Sequence, residues 1–199
     1  MSSSESGTKW TLAVILPCML DTDLFDLIDP ILKALGAKPE DGEEFRTPPL
    51  DILRYYVRPV RLHRLPILGR ATSVLAVLRQ PVDIGFSTSG YRNLLSRVAM
   101  AVNGRFPPWP RGAGLSIGLT LVVLTPEPIQ PDDEATLQTS FVGLARMRSI
   151  PLGLIRLNLG QEAMAATIMN SPDDLFPEAE RIAVALSERL RRFVPLWEG

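Results

Sequence analysis

The chain has 199 residues, of which 46% are hydrophobic and 22% charged, and its mean hydropathy is +0.13. These values are typical of a folded domain and exclude an intrinsically disordered or collagen-like chain. A single cysteine, Cys18, and a single histidine, His63, exclude an internal disulfide, a zinc finger and a histidine-rich metal site. The length predicts one globular domain over residues 9–199, preceded by a polar tail at residues 1–8 that we expect to be disordered.

The net charge of −1 hides a segregation of charge along the chain. Residues 1–51 carry a net charge of −6, and residues 127–199 carry a net charge of −4. Residues 52–126 contain ten arginines, no lysine and one acidic residue, Asp83, which gives a net charge of +9. Two interpretations follow from this basic third. Either it pairs with the acidic ends inside the fold, or part of it forms a surface patch for an anionic partner.

The first predicted element is a buried strand at residues 10–16, within the apolar run WTLAVILPCML. The run has the length of a signal-peptide core, but Glu5 precedes it and no small-residue cleavage site follows it. We therefore interpret it as a strand and expect a cytoplasmic protein. No apolar stretch reaches the roughly 18 residues that a membrane span needs.

Helices are predicted from capping residues and from apolar positions that recur with helical spacing. They cover residues 21–35, with Gly36 as the stop and a break expected at Pro30, then 89–103, 132–147 and a last helix beginning at Ser171.

Strands are predicted from alternation and from short apolar runs. They cover residues 59–65, 72–78, 115–124 and 150–159. Three assignments stay open between two states, at residues 52–57, 82–86 and 162–169, and residues 38–49 are expected to form a polar loop.

The alternation of strands and helices indicates an α/β or α+β fold. We expect a single mixed sheet of about five to six strands, packed with about four helices.

Arginines in the predicted strand at residues 59–65 and just before it are the first candidate binding residues. Arg58, Arg61 and Arg64 recur every third residue and would donate to phosphate or carboxylate groups. Arginine suits this role because its planar guanidinium binds both kinds of anion with two parallel hydrogen bonds. His63, between two of these arginines, is interpreted as an exposed strand residue.

A hydroxyl-rich turn at Ser87, Thr88 and Ser89 is the second candidate. It directly precedes a predicted helix, and Arg92 would lie in the first turn of that helix. Backbone N–H groups and hydroxyls at such a position can bind a phosphate or a carboxylate. The alternative is ordinary helix capping, for which serine and threonine are preferred without any ligand.

The proline-rich segment FPPWP supplies the third candidate, a partner-binding site at Phe106, Trp109 and Arg111. Proline stiffens the segment, and an exposed tryptophan on a rigid loop is a good anchor for a protein partner. The alternative is a loop that folds onto its own core.

The sequence contains few residues in patterns that catalysis requires. Gly85 to Ser89 resembles the nucleophile elbow G-x-S-x-G only in part, because a serine replaces the second glycine and the only histidine precedes the turn. Cys18 lies in an apolar run, where an inert buried thiol is expected rather than a catalytic dyad with His63. Acidic pairs lie at predicted helix starts, where they favour the helix dipole. We expect no catalytic residue, no metal and no cofactor.

The sequence therefore predicts a non-catalytic binding or assembly protein that engages an anionic partner through its basic central third. Nucleic acid, a phosphate group and an acidic protein surface are all open as that partner. Two alternatives remain: an enzyme acting on a phosphorylated or carboxylated small molecule at the turn Ser87–Arg92, and a structural subunit that docks through the Pro/Trp loop. The oligomeric state is open.

Overall fold

A computed structural model describes residues 21–42, 50–61, 70–105, 117–140, 149–169 and 176–191. Within these ranges, four helices are present: α1 (Asp21–Ala34), α2 (Thr88–Arg105), α3 (Asp133–Ser140) and α4 (Glu178–Arg191). Six strands are present in the same ranges: β1 (Lys38–Asp41), β2 (Asp51–Arg61), β3 (Arg70–Arg79), β4 (Ile117–Leu124), β5 (Ser149–Asn158) and β6 (Ala163–Ile168).

The six strands form one mixed sheet in the order β1-β2-β3-β4-β5-β6. Strands β3, β4 and β5 are parallel, whereas the β1–β2, β2–β3 and β5–β6 pairs are antiparallel. The connections β3-α2-β4 and β4-α3-β5 are the crossovers that parallel neighbours require. The prediction of one mixed sheet with about four helices is confirmed, and the fold is α+β.

Helices cover both faces of the sheet. One hydrophobic cluster joins α2 and Leu137 of α3 to one face, and a second cluster joins α1 and α4 to the other. Strand β4 lies between the two clusters and is buried at every residue. A strand buried on both faces has a continuous apolar sequence, which is why IGLTLVVL lacks polar alternation.

A β-bulge in β2 decides which of its residues face which helices. The register shifts between Ile52 and Arg54, so Ile52 and Tyr55 both pack into the α2 cluster although they are three residues apart. Arg54 and Tyr56 then face α1 on the opposite side, where both donate hydrogen bonds to Asp29. Arg58, four residues after Arg54, faces the same side of the sheet and contacts Glu178 of α4.

Helix α1 ends as its sequence predicts but does not break where expected. Gly36 has a φ of +80°, and the amides of Gly36 and Ala37 donate to the carbonyls of Lys33 and Leu32 at 2.9 Å. This is the Schellman pattern, in which glycine supplies the left-handed residue. The expected break at Pro30 is wrong, because α1 continues through Pro30 to Ala34.

The structure assigns each of the three segments that the sequence leaves open between two states. Residues 52–57 belong to β2, residues 163–168 form the second strand of a hairpin with β5, and residues 82–86 form a connection and not a strand. The polar loop expected at residues 38–49 contains β1 at its start.

The predicted tail at 1–8 and the predicted strand at 10–16 lie outside the described residues. No helix in the described ranges is long and apolar enough to cross a membrane.

Candidate functional site

The two predicted anion-binding sites lie at opposite ends of the sheet. Arg58 and Arg61 lie near the end of β2 and pair with Ser73 and Arg70 at the start of β3. The turn at residues 87–89 comes after the opposite, carboxyl end of β3. Ten residues of strand at about 3.3 Å each separate the two ends by roughly 30 Å. The structure therefore does not bring the arginines and the turn together, and they are two separate candidate sites.

The turn at Ser87 is a helix N-cap. The Gly90 amide donates to Ser87 Oγ at 3.0 Å, and the Tyr91 amide donates to the Ser87 carbonyl at 2.9 Å. Ser87 and Ser89 are exposed, with their Oγ atoms 3.3 Å apart, and Thr88 is half-buried. Capping accounts for Ser87 without a ligand. Anion binding at Ser87, Thr88 and Ser89 stays a prediction.

The end of α3 lies against the start of α2. Arg92 Nη2 donates to the Thr139 carbonyl at 3.0 Å. Ser140 Oγ donates to the Thr136 carbonyl at 2.8 Å and lies 3.4 Å from the Thr88 carbonyl oxygen. A helix carries partial negative charge at its C-terminus and partial positive charge at its N-terminus, so the two ends stabilise one another. Arg92 is thus directed at the last turn of α3, which weakens the case for Arg92 as an anion donor at the turn.

A buried arginine that the sequence analysis did not single out organises the carboxyl end of the sheet. Arg156 of β5 is 1% exposed and donates to Asp133, to Glu127 Oε2 at 3.0 Å and to the Pro128 carbonyl at 3.1 Å. Its guanidinium lies 4.0 Å from the centroid of the Phe86 ring. Asp133 also accepts from the amide of Gln130 at 3.0 Å. This network, the Arg156 cluster, ties β5 to the β4–α3 connection and to the segment before α2.

Tyr91 completes the packing of the Arg156 cluster. Its ring meets Phe86 edge-on, with 5.1 Å between centroids, and its hydroxyl donates to Gln80 Oε1 at 3.0 Å. Burial raises the pKa of Tyr91 above its usual value, although the nearby Arg156 opposes that shift. Tyr91 therefore stays protonated at neutral pH and acts as a hydrogen-bond donor to Gln80. Both terminal nitrogens of Arg156 have acceptors, whereas its buried Nε has no hydrogen-bond partner among the described residues. The cluster holds the connections together.

Several arginines of the basic third pair with acidic residues inside the fold. Arg79 binds Asp21 at 2.7 Å and Asp51 at 3.2 Å, and Arg97 binds Asp83 at 3.0 Å. Arg54 binds Asp29 through one nitrogen, at 2.8 and 3.0 Å. The acidic partners in these pairs are Asp21, Asp29, Asp51 and Asp83, three of which belong to the acidic first third. Internal pairing thus accounts for the arginines towards the carboxyl end of the parallel strands.

Arg58 also has an internal partner. Its Nε donates to Glu178 Oε1 at 2.5 Å, with 17% of the Arg58 side chain exposed and 2% of Glu178. A buried carboxylate is costly unless it is paired, so Glu178 needs this arginine. The role of Arg58 in binding an external anion stays a prediction, whereas its contact in the structure is an internal ion pair with Glu178.

Three further arginines of the basic third lie at the amino end of the parallel strands. Arg61 and Arg70 are the last register pair between β2 and β3, and Arg105 is the exposed last residue of α2. The intervening segments 62–69 and 106–116 contain two further arginines, Arg64 and Arg111, and no acidic residue. Arg64, Phe106, Trp109 and Arg111 lie outside the described residues, so their roles stay predictions.

The described residues hold no group of three or more histidine, cysteine, aspartate or glutamate side chains arranged to bind a metal ion. Comparison of the chain with protein-family models, with curated proteins and with solved structures found no match.

Proposed function

We propose that this chain is a non-catalytic binding protein that engages an anionic partner at the amino end of its parallel strands. The observation that carries the proposal is the backbone register that pairs Arg61, the last residue of β2, with Arg70, the first residue of β3. Like charges directly opposite on neighbouring strands destabilise a sheet. An anion that bridges them removes this cost, so the arrangement favours a bound phosphate or carboxylate.

The distribution of acidic residues supports the same location. The ion pairs of Arg54, Arg79 and Arg97 match cations of the basic third with nearby acids away from this end. Segments 61–70 and 105–116 contain five arginines and no acidic residue. Exposed charges of one sign concentrate counter-ions and attract an oppositely charged partner.

A phosphate-bearing polymer is the partner that this chemistry favours. Arginine binds phosphate oxygens with two parallel hydrogen bonds, and several arginines at one end of a sheet can follow successive phosphates. Because each bound phosphate releases condensed counter-ions, binding should weaken steeply as salt rises. The carboxylates on the surface of a folded acidic protein lack that regular spacing of charge.

The test is fluorescence anisotropy of a labelled single-stranded 20-nucleotide DNA, titrated with protein over a series of KCl concentrations. Arg61→Gln combined with Arg70→Gln removes two contacts. The slope of log affinity against log salt should become shallower by about 1.4, at roughly 0.7 per single-strand phosphate contact. Polyglutamate of similar length, used as competitor, measures how far a carboxylate polymer replaces phosphate.

The matched control is Arg79→Gln combined with Arg97→Gln. It changes the net charge by the same amount but removes arginines that are already paired with Asp21, Asp51 and Asp83. Its salt slope should equal that of the unaltered protein. Equal slopes for the two double variants, or the absence of binding at 25 mM KCl, would refute the proposal. Arg58 is left unchanged in both variants because Glu178 depends on it.

A further inference from the structure

The two edge strands of the described sheet differ in how they are protected. Strand β1 is four residues long, and its residues Lys38, Pro39 and Glu40 are exposed. Short length, charge and proline are the features that keep an edge strand from pairing with another chain. Strand β6 has the sequence AMAATI, with no charged residue and no proline. It therefore lacks the features that protect β1.

The backbone of β6 presents hydrogen-bonding groups on its open side. The Met169 amide, directly after β6, donates to the Leu152 carbonyl of β5 at 2.8 Å. In an antiparallel pair, alternate residues direct both their N–H and C=O groups to the same neighbour. The backbone groups of Met164, Ala166 and Ile168 consequently point away from β5. Among the described residues, no strand pairs with that side of β6.

We propose that β6 pairs antiparallel with β6 of a second copy of this chain, across a two-fold axis that passes beside Ala166. In this register Ala166 lies opposite the partner's Ala166, and Met164 lies opposite the partner's Ile168. The outward-facing groups then form three hydrogen-bonded pairs, which contain six hydrogen bonds in total. This dimer does not depend on anion binding at the other surface.

The side chains of β6 fit a second copy of β6 as the neighbouring strand, and they fit it best in this register. Met164, Ala166 and Ile168 pack on the α1–α4 side of the sheet, so their pairing continues that apolar cluster across the two-fold axis. On the other face, Ala165 lies opposite the partner's Thr167. Every residue from 163 to 169 meets an uncharged residue, including Met169, which is 48% exposed. A register shifted by two residues in one direction would place Glu162 opposite the partner's Ile168, burying a carboxylate against an apolar side chain. A shift in the other direction would leave only two of the three hydrogen-bonded pairs within β6.

Size sets the expected strength of the dimer. A pairing of six or seven residues buries less surface than the roughly 1,200–2,000 Å² of a standard stable interface. We therefore expect a reversible equilibrium with a dissociation constant in the micromolar range. Sedimentation equilibrium over protein concentrations from the low micromolar to the high micromolar range should show the average mass rising from 21.9 kDa towards twice that value.

Disulfide cross-linking tests the register. In a Cys18→Ser background, Ala166→Cys places two thiols on strands whose Cα atoms are about 5.5 Å apart, within the range that a disulfide spans. The matched control, Ala163→Cys, lies opposite the partner's Met169, so its own copy is six residues or roughly 20 Å away. Mild oxidation should cross-link the Ala166→Cys protein at least ten times faster than the Ala163→Cys protein.

Three outcomes would overturn the proposal. One is an average mass that equals the monomer mass at every concentration. This would show that β6 does not pair with a second copy, and the partner of its open side would be a foreign strand or another part of this chain. Another is a dimer in which neither cysteine variant cross-links, which would place the interface elsewhere. The third is equal cross-linking of the two variants, which would indicate random collision of thiols.

Discussion

Replacement of Arg156 by methionine tests the structural role of the Arg156 cluster. Arg156→Met keeps the length of the side chain but removes its charge and its donors to Asp133, Glu127 and the Pro128 carbonyl. Asp133 is 3% exposed, so its carboxylate would remain buried without a cation. Breaking a buried ion pair in this way costs about 3–5 kcal/mol. Glu127, whose side chain is 43% exposed, can turn to water and adds little.

The magnitude is large relative to the stability of a domain. A loss of about 3–5 kcal/mol is a substantial part of the roughly 5–15 kcal/mol that holds a typical domain folded. For a chain of this length it corresponds to a fall in Tm of roughly 6–20 °C. The assay is urea denaturation followed by circular dichroism, from which the free energy of unfolding is obtained for each variant.

Two comparisons separate the buried charge from general damage. Arg97→Met breaks the Arg97–Asp83 pair, in which the side chains are 27% and 50% exposed, and should cost only about 0–1 kcal/mol. Adding Asp133→Asn to Arg156→Met removes the stranded carboxylate and should restore about 1–3 kcal/mol. The reasoning is refuted if Arg156→Met costs less than about 1 kcal/mol, or if adding Asp133→Asn destabilises the protein further.

Three other predictions concern stability. Ser87→Ala removes the cap on the Gly90 amide and should cost about 1 kcal/mol in urea denaturation, with Ser89→Ala as the matched control that leaves the cap in place. Gly36→Ala forces a side chain into a left-handed residue and should cost about 1–2 kcal/mol, measured in the same way; no change would contradict the Schellman assignment. Burial, reinforced by the hydrogen bond to Asp29, raises the pKa of Tyr56, so the folded state holds its proton more tightly than the unfolded state. The stability that Tyr56 contributes is complete below about pH 10 and is lost as pH rises above that value, by up to about 1.4 kcal/mol per pH unit. Tyr56→Phe should therefore flatten the alkaline fall in unfolding free energy, and an unchanged slope would show that Tyr56 does not titrate with unfolding.

Local patterns in the sequence predicted the elements whose structure is local. Gly36 ends α1 and Ser87 caps α2 because both positions depend on residues within one turn. Strand β4 is recognised from its continuous apolar run. Strand β1 was missed because its four residues, KPED, carry no apolar alternation. The break at Pro30 was wrong because packing of Leu24, Ile28 and Leu32 against the sheet outweighs the lost hydrogen bond.

The candidate site was only partly accessible to sequence reasoning. The segregation of charge was visible, but which arginines pair internally depends on contacts between residues 14 to 120 positions apart. Arg58 looked equivalent to Arg61 until the fold placed Glu178 beside it. Sequence reasoning missed the role of Arg156 because this residue lies in an apolar strand, where a single arginine is the only sign of a buried ion pair. The distance between Ser87 and Arg61 followed only from the strand directions.

Hydrogen exchange measured by mass spectrometry, with and without saturating single-stranded DNA at low salt, tests the central claim most directly. It reports which end of the sheet the anion protects. We expect slower exchange in peptides that span residues 58–72 and 103–118, and unchanged exchange in peptides that span residues 82–91. Protection confined to residues 82–91 would place the anion at the α2 turn, and protection at neither end would contradict an anion-binding role for the basic third.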